Sequence, residues 1–138
     1  MTKTTIRQYM TPAPHTIGAE QTLAVASEVM HKHKLRHLPV LRGGRVAGIL
    51  RERDIALVSG LPSVDPAHVF VEDAMSEQVY SVGAETPLDE VAATMAAHRY
   101  GAALIVGERD HVIGVFTTVD ALHALADGAP AKARTAAL

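Results

Sequence analysis

The chain of 138 residues contains no cysteine. Disulfide bonds, thiolate metal sites and cysteine nucleophiles are excluded, because each needs a cysteine sulfur. The sequence also has no P-loop and no GxGxxG segment, and no serine, histidine and aspartate stand in a recognisable catalytic context. The chain is therefore left without an evident catalytic nucleophile.

The chain also lacks a strong excess of either charge sign, and it lacks long apolar runs. The net charge is -2 from 13 basic and 15 acidic residues, so nucleic acid is not an expected partner. No apolar run approaches the roughly 20 residues that span a bilayer, and the N-terminal residues MTKTTIRQYM lack the apolar stretch of a signal peptide. We expect a cytoplasmic protein with no membrane partner. An apolar fraction of 48% with 20% charged residues is typical of a folded domain.

What the chain does contain is a duplication. A constant offset carries one set of residues onto a second set of similar type: Met10, Thr16, Gly18, Ala19, Glu20, Leu23, Met30 and His33 onto Met75, Ser81, Gly83, Ala84, Glu85, Leu88, Met95 and His98. After one inserted residue, Gly48 and Asp54 match Gly114 and Asp120. Such a match predicts two copies of one supersecondary unit.

Each copy has the pattern β-α-β-β-α, preceded by a short helical turn at 5–10 or 70–75. In the first copy a helix begins near Thr22, and Gly43-Gly44 predicts a β-hairpin. In the second copy Thr86 is the predicted N-cap of the helix, with Pro87 at its first position.

The clearest motif joins a buried strand to a helix at Gly114–Asp120. Thr117 with Asp120 three residues later resembles a capping box, which is a purely structural interpretation. The same geometry also suits a ligand, because helix N-terminal N–H groups bind phosphate and a carboxylate can accept hydrogen bonds from two ribose hydroxyls. In the first copy Arg51 replaces the threonine before Asp54. Arginine is unfavourable at the positive end of a helix dipole, so either a bound anion or simple solvation of a surface charge would explain it.

These features resemble a tandem pair of CBS domains, often called a Bateman module, of the stand-alone prokaryotic type. The resemblance rests on the turns ending in methionine, the strands Thr16-Ile17 and Ser81-Val82, the stretch LRHLPV at 35–40 and the Gly-x-x-Thr-x-x-Asp segment at 114–120. It implies an α+β fold in which two β-α-β-β-α CBS repeats pack with pseudo-twofold symmetry. Repeat 1 would cover residues 5–60, a linker 61–69, repeat 2 70–126 and a disordered tail 127–138.

The resemblance also implies a function: a non-catalytic regulatory module that binds adenosine-containing ligands in the cleft between the repeats and transmits the ligand state to a partner protein. AMP, ADP, ATP and S-adenosylmethionine are the expected ligands, and no cofactor is required. Pocket one would use Thr16, Ile17, Leu35, Arg36, His37, Val115, Thr117 and Asp120. Pocket two would use Ile49, Arg51, Asp54, Ser81, Val82, Tyr100 and Gly101. Because Arg51 departs from the family's threonine, it would either meet extra phosphates or fill pocket two in the empty state.

Two other functions stay open. A structural or protein-interaction dimerisation module without ligand would use the same caps and turns. An enzyme acting on adenine nucleotides would need a nucleophile or metal cage, and the histidines lack a carboxylate at zinc-ligand spacing, so no metal site is predicted. A homodimer is expected, because small and apolar residues widen the apolar stripes of the helices: Ala24, Val25, Ala92 and Ala93.

Overall fold

The computed structural model describes residues 4–128, which form two compact units. The first, called here the Asp54 unit, contains His15–Val79 and Arg109–His111. The second, the Asp120 unit, contains residues 4–14, Tyr80–Glu108 and residues 112–128. Each unit combines helices with its own β-sheet. The α+β class expected from the sequence is confirmed.

The elements follow the predicted order in both copies. They are β1 (Thr11–Pro12), β2 (Ile17–Gly18), α1 (Leu23–His33), β3 (His37–Arg42), β4 (Arg45–Arg51), α2 (Glu52–Ser59), α3 (Val71–Ala74), β5 (Ser81–Val82), α4 (Leu88–His98), β6 (Ala102–Val106), β7 (Val112–Thr117) and α5 (Thr118–Ala126). Short 3-10 turns occupy Ile6–Gln8, Pro66–His68 and Glu108–Asp110. The β-α-β-β-α pattern is thus β2-α1-β3-β4-α2 in the first copy and β5-α4-β6-β7-α5 in the second.

The Asp54 unit is built on a three-stranded sheet in the order β2-β3-β4. Strand β2 lies parallel to β3, and β3 pairs antiparallel with β4. Gly43 and Gly44 connect β3 to β4 with φ values of +60° and +80°, a conformation that favours glycine and confirms the hairpin. The apolar stripe of α1 is buried against strand residues in one core, whose members include Leu23, Ala26, Met30, Leu38, Val40 and Leu50.

The Asp120 unit is built on a four-stranded sheet in the order β1-β7-β6-β5. Strand β5 is parallel to β6, while β7 pairs antiparallel with both β6 and β1. Its core gathers the α4 stripe and the inner strand residues: Leu88, Val91, Met95, Ala103, Ile105 and Phe116.

The turn that opens each copy packs in the unit built from the other copy. Ile6 is fully buried in the Asp120 core, and its N–H donates to the carbonyl oxygen of Thr86 at 2.8 Å. In the Asp54 unit Val71 is fully buried, and its N–H donates to the carbonyl oxygen of Gln21 at 2.7 Å. The two opening turns therefore complete the cores that the local sequence repeats leave unfinished.

Close approach of these opening segments explains a pair of glycines that recur in the duplication. A Cβ at Gly48 would lie 2.6 Å from the carbonyl oxygen of Ser76, and one at Gly114 would lie 3.2 Å from that of Thr11. Glycine at these positions lets a second segment lie directly on the strand.

Two details differ from the sequence-based expectation. Helix α4 begins at Leu88 with Pro87 as N-cap and no side-chain cap, so the prediction of Thr86 as N-cap was wrong by one residue. Strand β1 was not foreseen; it pairs with β7 at a sheet edge, where Pro12 is tolerated because an edge strand can lack an N–H donor. Residues 129–138 of the predicted tail lie outside the described residues. Among residues 4–128, no helix is both long and apolar enough to cross a membrane.

Candidate functional site

Some of the candidate site residues lie where the last strand of each copy enters a helix. In the Asp54 unit His37 of β3 lies opposite Arg51 of β4, and the N–H of Glu52 donates to the carbonyl oxygen of Arg36 at 2.9 Å. The Asp120 unit repeats this arrangement. Ala102 lies opposite Thr117, and the N–H of Thr118 donates to the carbonyl oxygen of Gly101 at 3.3 Å.

In the Asp120 unit, Thr117 and Asp120 form the predicted capping box, called here the Asp120 turn. The carboxylate accepts the backbone N–H of Thr117 at 2.9 Å and its hydroxyl at 3.2 Å. In return, the Asp120 N–H donates to the Thr117 hydroxyl oxygen at 3.4 Å. The hydroxyl of Thr11 adds longer contacts of 3.3 and 3.5 Å to the two carboxylate oxygens. Within the described part of the chain, every polar partner of this carboxylate is thus a hydroxyl or a backbone amide.

In the Asp54 unit the corresponding Asp54 turn (Arg51–Asp54) holds an ion pair. Asp54 Oδ2 accepts the backbone N–H of Arg51 at 2.9 Å and its Nε–H at 3.0 Å, while Oδ1 accepts from Nη2 at 2.9 Å. Asp54 is the one charged residue that is buried among the residues described, with 8% exposure. The sequence left open whether a bound anion or solvation accounts for Arg51. In the structure its anion is the chain's own Asp54.

His37 lies beside this ion pair, opposite Arg51 on the neighbouring strand. Burial, followed by the neighbouring Arg51 charge, lowers the pKa of His37, and Asp54 partly opposes this effect. Arg36 adds a further lowering of the same pKa. A neutral His37 next to two guanidinium groups is therefore the expected state near neutral pH.

The structure divides the predicted site residues between the units. The Asp54 unit holds Thr16, Ile17, Leu35, Arg36, His37, Ile49, Arg51 and Asp54, and the Asp120 unit holds Ser81, Val82, Tyr100, Gly101, Val115, Thr117 and Asp120. Each predicted pocket draws on both units, so its assembly stays a prediction. The aliphatic walls proposed for adenine are strand residues with little exposure: 5% for Ile17, 8% for Ile49 and 7% for Val115.

Sequence reasoning missed several side chains near these sites. Thr11 reaches Asp120 only because β1 lies beside β7. Tyr80 contacts Tyr100 with ring centroids 5.4 Å apart. In the Asp54 unit the rings of His15 and His33 stack at 3.7 Å. For this histidine pair the sequence signal was the duplication, which places His15 and His33 at the positions of Tyr80 and His98.

Among the described residues, no group of three or more histidine, cysteine, aspartate and glutamate side chains is arranged to hold a metal ion.

A model of the CBS domain matches residues 6–60 and 71–127, which together cover both copies of the duplication. The chain belongs to the CBS domain family. Its two CBS repeats are the copies recognised in the sequence.

The chain is similar both to part of a longer enzyme and to whole solved chains of its own size. The chain is 29% identical over 119 residues to a homoserine O-acetyltransferase of Methanocorpusculum labreanum, and this match spans 86% of the chain but only 23% of the enzyme. Among solved structures, an acetoin utilization protein (AcuB) from Vibrio cholerae has a TM-score of 0.83 and 24% identity, covering 96% of this chain and 97% of that one.

A third similar structure is the CBS domain pair of protein MJ0100, solved in complex with 5'-methylthioadenosine and S-adenosylmethionine. It has a TM-score of 0.82 and 22% identity, and the match covers 91% of this chain and 98% of that one. At these identities the two structures establish the shared fold.

Proposed function

We propose that this CBS pair is a non-catalytic regulatory module that binds an adenosine-containing ligand and transmits the ligand state to a partner protein. The observation that carries the proposal is the pair of strand-to-helix turns, each presenting one carboxylate, Asp54 or Asp120. The adenosine derivatives bound by the CBS pair of MJ0100 support the ligand class. AMP, ADP, ATP and S-adenosylmethionine are the candidate ligands, and no further cofactor is required.

At the Asp120 turn the chemistry of recognition follows from the geometry. The carboxylate has two oxygens and about four acceptor positions, so it can accept both hydroxyls of a ribose in addition to the Thr117 N–H. The Thr117 hydroxyl and the N-terminal amides of α5 provide donors for a phosphate group. In our proposal, pocket one adds the aliphatic side chains of Val115 and Ile17 to enclose adenine.

Isothermal titration calorimetry with AMP, ADP, ATP and S-adenosylmethionine tests this proposal. Asp120→Asn keeps the shape of the side chain but removes its charge, and we expect it to weaken binding at pocket one by about 10- to 100-fold. Asp89→Asn is the matched control, since Asp89 is an exposed residue in the first turn of α4. If none of the four compounds bound at millimolar concentration, the ligand-sensing function would be refuted.

Transmission to a partner requires that the ligand bind the partner-bound and partner-free states with different affinity. Affinity capture with the immobilised chain, with and without ATP, measures this difference. A partner retained equally in both conditions would favour the alternative function, a protein-interaction module that needs no ligand.

The exposed face of α5 supports that alternative and a homodimer. Val119 and Leu122 are 59% and 64% exposed, which is unusual for large apolar side chains on one helix. An open groove of about 480 Å³ lies beside them in the Asp120 unit, and its lining includes Ala92, Met95 and Ala121. We propose that a second copy covers this face. Light scattering should give a dimer mass at micromolar concentration and a monomer mass for Leu122→Glu; a monomeric unmodified chain would contradict the proposal.

We further propose the cytoplasm as the compartment, in keeping with a ligand drawn from the nucleotide pool. Fractionation of cells that produce the tagged chain would test this, and recovery with the membrane or extracellular fraction would contradict it.

A further inference from the structure

The Arg51–Asp54 ion pair suggests how the two turns differ in ligand choice. We propose that this pair is a latch that restricts the Asp54 turn to adenosine ligands carrying phosphate, while the Asp120 turn also accepts uncharged or sulfonium-bearing adenosines. This inference rests on the proposed adenosine-binding function and specifies the ligand class at one of its two turns.

The latch uses most of the hydrogen-bond acceptor positions of the Asp54 carboxylate. Three donors of Arg51 reach Asp54 within 3.0 Å, one from the backbone and two from the guanidinium. The guanidinium contacts both carboxylate oxygens, a bidentate and charge-assisted arrangement that is among the strong hydrogen-bonded pairs in proteins. A ribose diol cannot reach both oxygens of Asp54 while these bonds persist.

The Asp120 turn has no such obstacle. Its side-chain donors are the hydroxyls of Thr117 and Thr11, at 3.2 Å or more from the carboxylate oxygens. A hydroxyl rotates freely and can also accept a hydrogen bond, so it can turn toward a new partner without leaving a charge unpaired. A ribose can therefore replace these contacts directly.

Opening the latch leaves a charge that needs a new partner. The Arg51 side chain is 35% exposed, so a released guanidinium would be only partly solvated. Its neighbours Arg36 and His37 are basic, and the Arg51 charge contributes to the lowered pKa of His37. Among these groups Asp54 is the sole counter-charge, so a second anion is favoured once Asp54 turns to the ribose.

A ligand phosphate provides that anion. Arg51 can exchange the carboxylate for a phosphate, which guanidinium also binds in bidentate fashion, and Asp54 then becomes available to the ribose hydroxyls. Adenosine and 5'-methylthioadenosine carry no anionic group that could replace Asp54 as the partner of Arg51. The latch thus couples ribose recognition at Asp54 to the presence of phosphate on the same ligand.

Calorimetry on the full chain with ATP, AMP, adenosine, 5'-methylthioadenosine and inorganic triphosphate tests the latch. Asp120→Asn, used as a background, isolates binding at the Asp54 turn. There we expect ATP to bind at least about tenfold more tightly than adenosine. Arg51→Thr, which installs the residue of the other copy, should reduce this ratio toward the one measured at the Asp120 turn by strengthening adenosine and weakening ATP. The reciprocal Thr117→Arg, made with Asp54→Asn, should create the phosphate preference at the Asp120 turn.

The pKa of His37, followed by NMR, reports the position of the Arg51 charge, and its dependence on the bound ligand separates the latch from a merely structural role of Arg51. It should rise in Arg51→Thr, because the cationic neighbour is lost and Asp54 stays. In the Asp120→Asn background, which removes tight binding at pocket one, ATP should shift the His37 resonances and adenosine should not. Arg51→Lys keeps the charge without the bidentate fork and should give an intermediate ATP preference.

Three outcomes would overturn the latch: equal affinity of ATP and adenosine at the Asp54 turn, an unchanged ratio in Arg51→Thr, or inorganic triphosphate binding as tightly as ATP. The last result would indicate a general anion site. Failure of the proposed function itself has a different signature, since then no adenosine compound binds the unmodified chain at either turn.

Discussion

The opening turn of each sequence copy packs in the unit built from the other copy. We therefore predict that a mutation in the opening turn of one copy destabilises the unit built from the other copy. Ile6 stands at the start of the first copy, yet its side chain is fully buried in the core of the Asp120 unit. Ile6→Ala removes three carbon atoms from that core. At about 0.8 kcal/mol for each buried carbon, with a further contribution from the cavity, the expected loss of stability is about 3 kcal/mol.

Native-state hydrogen exchange locates the effect. A loss of about 3 kcal/mol corresponds to roughly a hundredfold faster exchange for amides that open with the affected unit. In Ile6→Ala we expect this acceleration in β6 and β7. The matched variant is Val71→Ala, which alters a fully buried residue of the other opening turn. It removes two carbon atoms, so we expect about 2 kcal/mol, with the faster exchange in β3 and β4.

The opposite pattern would refute the reasoning. If Ile6→Ala accelerated exchange in β3 and β4 and left β6 and β7 protected, the opening turn would belong to its own copy. Urea denaturation of both variants checks the total free energy of unfolding independently of the location.

Further predictions concern a close backbone approach and a histidine pair. Gly114→Ala should lower the free energy of unfolding by about 1–3 kcal/mol in urea denaturation, because the new methyl group would crowd Met10. In the control Gly83→Ala the new Cβ would meet nothing within 4 Å, so the free energy of unfolding should change by no more than about 0.5 kcal/mol. Equal losses in the two variants would count against this explanation. Desolvation and the stacked His15 ring lower the pKa of His33 below that of the unfolded chain. The unfolded state then binds more protons, so stability should fall as the pH drops below about 6.5. His33→Phe keeps a ring at this position without the charge, so the melting temperature should depend less steeply on pH between about pH 5 and 8. A profile as steep as that of the unmodified chain would contradict this assignment.

Much of the fold followed from local patterns. The duplication, the helical stripes ending at Met30 and Met95, and the hairpin at Gly43-Gly44 each depend on interactions within a few residues, so periodicity and turn chemistry predicted them. The capping box of Thr117 and Asp120 is equally local. Sequence reasoning was less accurate for the start of α4, since both Thr86 and Pro87 are common at helix starts and the choice depends on the surrounding backbone.

Long-range contacts were beyond these patterns. The Thr11 hydroxyl reaches Asp120 because β1 pairs with β7, a contact between residues distant in the chain. Nothing in the residues near Ile6 indicates that it completes the core of the second copy. Even the Arg51–Asp54 pair, only three residues apart, was not predicted, because the side chain of an arginine at a helix start can also bind an external anion or face solvent.

The sequence by itself determined that the protein is a duplicated β-α-β-β-α chain with one carboxylate at each strand-to-helix turn, since spacing and residue type suffice for these conclusions. Only the tertiary structure decided which core each opening turn completes and which donors each carboxylate accepts. Packing and hydrogen-bond geometry depend on where distant segments and long side chains come to lie. Through that geometry, two turns of similar sequence become chemically different: Asp120 is held by hydroxyls and amides, and Asp54 by a guanidinium.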